Sequence, residues 1–579
     1  MNAQSSAVRH SLVLTSADAF REHAGSTALS LAKALSVSIT VAAWLAKRGI
    51  VDPSVAARFL EPKLAELSPP DAMVDRKAAA QRIAHALRNG EHICVFGDYD
   101  CDGMTAAAVM TEVLTAFGGR VTAFVASRFE GGYGVSAAAV DRVLACSARL
   151  LVTCDCGSSD HESLARLRAH GVDVVVIDHH LVPAEPLPAL AFLNPHRPEC
   201  GFPYKGLASC GLALSVAAAL RAELGRAYDL RPLLDLVAVG TIADVAPLTG
   251  DNRALVRAGL KVLERAERPG LRALMDLAGI ERGVPLTGQD IAFRIAPRLN
   301  APGRLGSPEP ALRLLLERNP DRARELAAEI EQASLERRAV QDRMIEEALS
   351  EVDACGYARA DAIVLGREGW NHGIVGIVAG RLADRFGRPV IVVGFSDGRG
   401  RGSVRGPRGF PLYDALADAS HTTLRFGGHQ AAAGLEVELA RLEELRTAFA
   451  AAVARRSLKP RTDAPDLDGV SFLSPDEDPA RVLDDLTRLE PCGEGNPSPE
   501  MVVRGKVLMA RAVTGGHLKL ELELGARGHR ISGFGVAMGH MAEGLAAEVV
   551  VSGALRRDTY RGGGAVELKI ARFWPDLCE

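Results

Sequence analysis

The residues with the most chemistry are acids and histidines delivered at the ends of apolar runs. Ile93–Phe96 is followed by Gly97-Asp98-Tyr99-Asp100-Cys101-Asp102-Gly103, Leu150–Thr153 by Cys154-Asp155-Cys156-Gly157, and Val174–Ile177 by Asp178-His179-His180. A further apolar stretch, Leu236–Ala243, ends in Asp244, with helix and strand both open. Read as an extended segment, Asp98, Asp100 and Asp102 lie on one face, because side chains alternate along a strand. Three carboxylates on one face repel unless a cation or shared protons neutralise them. A lone D-x-D-x-D also suits an acidic surface turn. Three strands that each end in Asp or His favour a metal site, since open α/β sheets place ligands at the carboxyl ends of their strands. Imidazole mixed with carboxylates suits Mn²⁺ or another hard-to-borderline divalent ion better than a thiolate metal.

A second group is basic and lies among glycines. Ser127-Arg128-Phe129-Glu130-Gly131-Gly132-Tyr133-Gly134 pairs an arginine with residues that let backbone approach a ligand, although a surface turn reads the same way. Pro297-Arg298-Leu299-Asn300-Ala301-Pro302-Gly303-Arg304 puts two arginines in a Pro/Gly loop, to hold phosphate or to pair with acids. Arg399-Gly400-Arg401-Gly402-Ser403-Val404-Arg405-Gly406 reads as a basic loop suited to bidentate phosphate contacts. Phe426-Gly427-Gly428-His429-Gln430-Ala431-Ala432-Ala433-Gly434 reads as a glycine pair opening a helix, whose first N–H groups would receive an anion.

These groups need a scaffold, and the pattern of elements supplies one. At 579 residues the chain has room for three or four domains. A hydrophobic fraction of 47% with 24% charged residues is ordinary for a soluble globular protein. The net charge of -4 carries no global polyanion signature, so any nucleic-acid surface must be local. The ten cysteines lack paired zinc spacing; Cys154 and Cys156 are too close together for a structural zinc pair and are expected to be buried. Met1–Leu12 lacks a basic stretch followed by a long apolar core, and no segment is long enough to span a bilayer, so a reduced cytoplasmic setting is expected.

Residues 1–70 read as a helical packing region, with Asp52-Pro53 opening a short helix. Residues 71–310 alternate strand and helix, with Gly103 breaking the first strand ahead of a Met104–Val113 helix, and the apolar strands predict a parallel sheet covered on both faces. Over residues 311–355, Asn319-Pro320 starts a long amphipathic helix with its stripe at Leu326, Ile330, Ala333, Val340, Met344 and Ala348; its charges read as a solvated face. A second α/β unit spans 356–458, with strands at Ala362–Leu365 and Val390–Val393. Pro460–Pro465 reads as a linker, and 466–579 as a β domain, where Leu518, Leu520, Leu522 and Leu524 alternate with charged residues. A small barrel of OB type fits that last pattern.

The blocks Asp98–Gly103, Asp178–His180 and Gly427–Gly434 resemble the signatures of the DHH/DHHA1 phosphoesterases. Arg128–Gly134, Pro297–Arg304, Trp370–Gly376 and Pro491-Cys492-Gly493-Glu494-Gly495-Asn496-Pro497 extend the likeness to the branch that degrades single-stranded DNA from its 5′ end. The resemblance implies two α/β domains, DHH and DHHA1, joined by the long helix around a cleft, with an OB-type β-barrel behind them. It makes Asp98, Asp100, Asp102, Asp155, His179 and Asp244 the ligands of two Mn²⁺ or Mg²⁺ ions, with Asp98 either a ligand or a supporting group. Asp155 would bridge, Asp102 and His179 would favour one ion, and Asp100 and Asp244 the other. His180 would face the scissile phosphate. Arg128, Arg298, Arg304, Ser403, Arg405 and His429 would meet the DNA backbone or its 5′-phosphate. The implied activity is a single-strand-specific 5′→3′ exonuclease of recombination and repair, releasing mononucleotides. It would work as a monomer, without a membrane, alongside a helicase or single-strand-binding protein. The rival expectations are a phosphodiesterase of short oligonucleotides or cyclic dinucleotides, and a non-catalytic DNA-binding scaffold.

Overall fold

A computed structural model describes residues 16–430, 432–456, 469–558 and 565–574. Met1–Leu12, Ala431 within the Phe426–Gly434 block and the Pro460–Pro465 linker lie outside them. Contacts divide the chain into two compact units, one holding Ser68–Ala246 and Ala258–Thr462, the other the chain up to Leu67, Pro247–Arg257 and the chain from Asp463. No helix among the described residues is long and apolar enough to cross a membrane.

In the larger unit, β1 (His92–Gly97), β2 (Arg120–Val125), β3 (Leu150–Cys154), β4 (Asp173–Ile177) and β5 (Ala191–Leu193) form a parallel sheet in the order β2-β1-β3-β4-β5. β3 is buried along its whole length and β1 and β4 along all but their first residue, as continuous apolar runs require. The ladder continues one residue past each strand: Asp98 N–H donates to the Cys154 carbonyl, Asp155 N–H to Ile177 and Asp178 N–H to Leu193. Register therefore sets three acids side by side.

The Asp98–Asp102 segment is not extended. The strand stops at Gly97, Asp100 caps the Cys101–Ala116 helix by accepting from Asp102 and Gly103 N–H, and Asp102 sits in its first turn. Gly103 lies inside that helix, where a Cβ would come within 2.5 Å of Asp98 N. Its missing side chain lets the helix press on the strand end.

The second sheet runs β6 (Ile363–Glu368), β7 (Val390–Ser396), β8 (Arg399–Arg405), β10 (Ala432–Glu438), β9 (Arg425–His429), parallel only between β6 and β7. Two expectations fail here. The basic Arg399–Arg405 stretch is a strand, with Gly400 and Gly402 against Phe395 and Val393, where no Cβ would fit. That leaves Ser403 and Arg405 on the opposite face, two residues apart. The Gly427-Gly428 pair opens no helix; β9 and β10 pair antiparallel, Gly427 opposite Gly434 and His429 opposite Ala432. The alanines favour helix locally, but pairing with β8 buries Ala433, Leu435 and Val437 in strand alternation, and that tertiary gain prevails. The anion-binding helix start expected there is absent.

The connecting helix is continuous over Pro320–Cys355, 36 residues, capped by Asn319 and ended by Gly356 with φ 69°. The Pro297–Arg304 stretch, expected as a loop, forms two short helices, Ala296–Leu299 and Pro302–Leu305.

In the smaller unit, β11 (Val470–Phe472) adds to a barrel of β12 (Glu500–Val513), β13 (His517–Leu524), β14 (His529–Gly535), β16 (Val566–Phe573) and β15 (Glu548–Arg557), which closes where β15 pairs with β12. Leu518, Leu520, Leu522 and Leu524 face its core. The N-terminal helices pack onto this region: Glu477 accepts from Ile39 and Thr40 N–H, and Asp485 from Ser38 N–H. These acids cap the Ile39–Lys47 helix from far along the chain.

Candidate metal centre and anion site

The carboxyl ends of β1, β3 and β4, together with the starts or ends of three helices, converge on one acidic pocket. Asp102 is held by the N-terminus of the Ser209–Leu224 helix: Ser209 N–H donates to its Oδ2 at 2.7 Å and Cys210 N–H to its Oδ1 at 3.0 Å. Ser209 Oγ donates to Asp155 Oδ1 at 3.0 Å. Asp155 holds φ at 66°, a conformation costly for a side-chain-bearing residue, and such strain collects at functional sites. Asp244 settles the open assignment: it follows the Leu234–Ala243 helix.

Three triads of donor atoms lie within 4.8 Å of one another: Asp98 with Asp100 and Asp155; Asp102 with His179 and Asp244; Asp155 with His179 and His180. Asp155 and His179 are the shared members, His179 Nε2 standing 3.2 Å from Asp155 Oδ1 and 3.7 Å from Asp244 Oδ2. Asp244 thus groups with Asp102 and His179, and not with Asp100 as expected, because the end of its helix packs beside the Cys101–Ala116 helix on which Asp102 sits.

Burial first, then repulsion from Asp102 and Asp100, pushes Asp155 far above the carboxylate range and Asp244 up to about 8. Asp98 is driven up by burial and by Asp100. Burial pushes the His179 imidazolium down, against the pull of Asp102. Asp98 Oδ1 and His179 Nε2 are buried without a hydrogen-bond partner. Unpartnered donor atoms among mutually repelling carboxylates fit divalent cations, whose charge would restore the ionised forms. The oxygen-rich set with one imidazole suits Mn²⁺ or Mg²⁺.

Asp178 and His180 form a different pair. Asp178 Oδ1 accepts from His179 N–H, His180 N–H and His180 Nδ1, the last at 2.7 Å, and Oδ2 accepts from Ser158 N–H. Against the burial that would raise it, these bonds hold Asp178 at about 2 and lift His180 to about 9. With Nδ1–H given to Asp178, Nε2 is the ring nitrogen left for a ligand, and the imidazolium form makes it a donor. Tyr133 Oη stands 3.0 Å from His180 Nδ1 and 3.3 Å from the Asp155 carbonyl.

Beside the pocket, Arg128 lies over the Tyr99 ring at 3.7 Å. Arg304 Nη1 donates to the Gly373 carbonyl, and Arg405 Nη1 to Ser403 Oγ at 2.8 Å. Burial followed by repulsion from Arg128 brings Arg304 down to about 10 and lowers Arg405. Guanidinium groups that repel one another and have no ion-pair partner among the described residues suit an anion. Arg298 does not join them. It is buried, with Nε on Glu331 at 2.5 Å and Nη1 on the Arg294 carbonyl, so the pairing alternative holds for it. His429 is exposed at the end of β9, and among the described residues no contact ties it to the arginines.

Asp178 as the orienting acid, Tyr133, and the Ser209 and Cys210 N–H groups were not foreseen. Asp178 was visible as the neighbour of the two histidines. Ser209 carries no local signal, because its role arises only when a helix start folds back onto Asp102.

Comparison with known proteins agrees with this architecture. The DHH family N-terminal domain matches residues 92–241, the DHHA1 domain 359–455 and the RecJ OB domain 472–572. These define a protein of DHH and DHHA1 domains that carries an OB barrel. The chain is 37% identical over 525 residues to the single-stranded-DNA-specific exonuclease RecJ of Dickeya dadantii, covering 86% of this chain and 90% of that one. It is 35% identical to the Bacillus subtilis exonuclease of that name, covering 89% of this chain but 65% of the relative's length. The crystal structure of Thermus thermophilus RecJ in complex with Mn²⁺ matches with a TM-score of 0.78 at 32% identity, covering 95% of this chain and 78% of that one; the Mg²⁺ complex matches at 0.74 over 94% and 76%. The chain belongs to the RecJ family.

Proposed function

We propose that this chain is a divalent-metal-dependent exonuclease that hydrolyses single-stranded DNA from its 5′ end to mononucleotides, in recombination and repair. The observation that carries the reading is the pair of donor triads joined through Asp155 and His179, next to arginines without acidic partners. Asp98, Asp100 and Asp155 would hold one cation, and Asp102, His179 and Asp244 the other. Bound divalent cations would supply an activated water and neutralise charge on the phosphoryl group under attack. Asp178 keeps His180 oriented and protonated, so that Nε2–H donates to a phosphate oxygen as its charge grows. Ser209 and Cys210 hold the two acids in place through their N–H and hydroxyl groups. Arg405 with Ser403, and Arg128 stacked on Tyr99, would grip the terminal 5′-phosphate, which gives the polarity. Arg304 would hold the backbone. We further infer a cytoplasmic monomer fed by a helicase, with single-strand-binding protein keeping its substrate open.

The test is a time course on strands labelled at the 5′ or the 3′ end, with and without Mn²⁺. Early release of 5′-terminal mononucleotide, dependent on Mn²⁺, is expected. Equal rates on a long strand and a dinucleotide would favour a short-oligonucleotide phosphodiesterase. Binding without hydrolysis at any metal or pH would leave only a scaffold.

A further inference from the structure

The connecting helix was expected to turn its charges to solvent, and most of them do. Arg322 faces Glu317 and Arg324 faces Asp321, at the exposed start of the helix. Arg337 differs. It is half-buried, and its Nη1 donates at 2.7 Å to Gln341 Oε1, one turn on along the same face. Val340, on that face, packs with Leu305 against the apolar cluster that includes Val378 and Leu382. Arg304 precedes Leu305 and Arg381 precedes Leu382. The Pro302–Leu305 and Val375–Phe386 helices, which carry Arg304 and Arg381, both pack against the connecting helix that carries Arg337.

Their fields overlap. Besides burial and Arg128, Arg304 is pushed down by Arg337, and Arg337 is pushed down by burial and then by Arg338 and Arg381, with Asp342 the opposing charge. Among the described residues none of Arg304, Arg337, Arg338 or Arg381 has an ion-pair partner, and none has an interaction left undescribed. Cations set close together without an ion-pair partner repel one another in the free protein, a cost that a polyanion would remove. Arg405 and Arg304 each feel Arg128, Arg304 feels Arg337 and Asp100, and Arg337 feels Arg381, so these residues form a row that links the proposed terminal-phosphate grip to the connecting helix.

We propose that Arg337, flanked by Arg381 and Arg338, is a phosphate-binding station for the part of the single strand beyond the scissile linkage. The connecting helix is then part of the substrate path and not a spacer. The inference rests on the nuclease reading for the direction of the strand, but its test does not depend on hydrolysis.

The experiment measures fluorescence anisotropy of labelled, 5′-phosphorylated dT12 and of a 5′-phosphorylated dinucleotide on the full chain in EDTA, over a salt series. Arg337→Ala is expected to weaken dT12 binding about tenfold, as the loss of one charged hydrogen bond would. It should also flatten the plot of log affinity against log salt by about 0.7, one phosphate's worth of released counterion. Dinucleotide affinity should fall less, so the advantage of the long strand shrinks. Arg337→Lys should recover the slope better than the affinity, since a point charge replaces a fork. Arg322→Ala, on the same helix and away from the row, should change neither. Equal losses on both ligands, or an unchanged slope, would overturn the proposal. If wild type binds dT12 with a slope that Arg337→Ala reduces, yet cleaves nothing with Mn²⁺, the station stands and the nuclease reading falls. If wild type binds neither ligand, both fall.

Discussion

Asp235 and Glu112 are buried beside Arg268, whereas Asp98, Asp102 and Asp155 are buried beside one another. In the first group Arg268 Nε donates to Asp235 Oδ2 at 2.7 Å, another of its nitrogens reaches Asp235 Oδ1, and Nη1 reaches Glu112 and the Leu315 carbonyl. Against burial, these acids hold the guanidinium above its ordinary value, and burial also raises Asp235 while Arg268 pulls it back down. The charges close on themselves. In the second group His179 is pushed toward neutrality, His180 is committed to Asp178 and Arg128 acts on Asp98, yet burial and mutual repulsion still drive the carboxylates up. The same unit thus contains one acidic cluster completed by protein and one left for ions from outside. Burial alone does not mark a site; what marks it is burial of acids that outnumber the counter-charges beside them.

That contrast breaks most sharply at Asp155, which belongs to one donor group and stands 3.2 Å from His179 of the other. Asp155→Ala is expected to reduce exonuclease turnover to background while circular dichroism stays unchanged; near-normal turnover would end the bridging assignment. Asp155→Asn should go further and raise the melting temperature of EDTA-treated protein, because one repelling charge is gone, while losing the stabilisation that Mn²⁺ gives wild type. Asp235→Ala should do the reverse. With Arg268 left half-paired in the interior, it should cost about 3–5 kcal/mol, seen as a lower denaturation midpoint, with turnover per folded molecule close to wild type. Loss of turnover without loss of stability would make Asp235 part of the active centre and erase the distinction.

The metal-free protein should also carry a pH signature. Asp244 is held at about 8 when folded, against 3.8 as the ordinary value. A raised acid pKa means that the folded state binds the proton more tightly, so its stabilisation is complete below about pH 4 and is lost as pH rises through about 8. Melting temperature in EDTA should therefore fall across that window. Saturating Mn²⁺ should flatten or invert the trend, since cations favour the ionised carboxylates. A flat profile in EDTA would mean that these acids are not electrostatically frustrated.

Much of this was legible because it is local. Apolar runs of four or five residues followed by Asp or His placed the pocket at strand ends, and Asn319-Pro320 with its stripe marked a helix that is unbroken to Cys355. What escaped depends on distant partners. Arg399–Arg405 and Gly427–Gly434 read as loop and helix start because their strand character comes from β8 pairing with β7 and β10, and from β9 pairing with β10. Arg298 and Arg304 are six residues apart in one motif, yet Glu331 on the connecting helix captures the first and leaves the second without an ion-pair partner among the described residues. Asp244 changed groups for the same reason: its helix packs beside Asp102, which spacing along the chain does not encode.

The smallest expected effect separates paired from unpaired arginines. Arg405 shares a β8 face with Ser403, is lowered by burial and by Arg128, and has no acid against it. Arg405→Ala should weaken binding of a 5′-phosphorylated strand and reduce the salt slope by about 0.7, because one phosphate contact disappears. A strand ending in a 5′-hydroxyl should suffer less, since the lost contact is to the terminal phosphate. Arg298→Ala removes the partner of Glu331, so it should lower the melting temperature and leave the slope unchanged. If Arg298→Ala flattened the slope as much as Arg405→Ala, the ion pair with Glu331 would have to open for DNA. An acid within reach would then be no bar to an arginine's serving the strand, and the division between closed and open charge clusters would fail for the basic residues even if it held for the acidic ones.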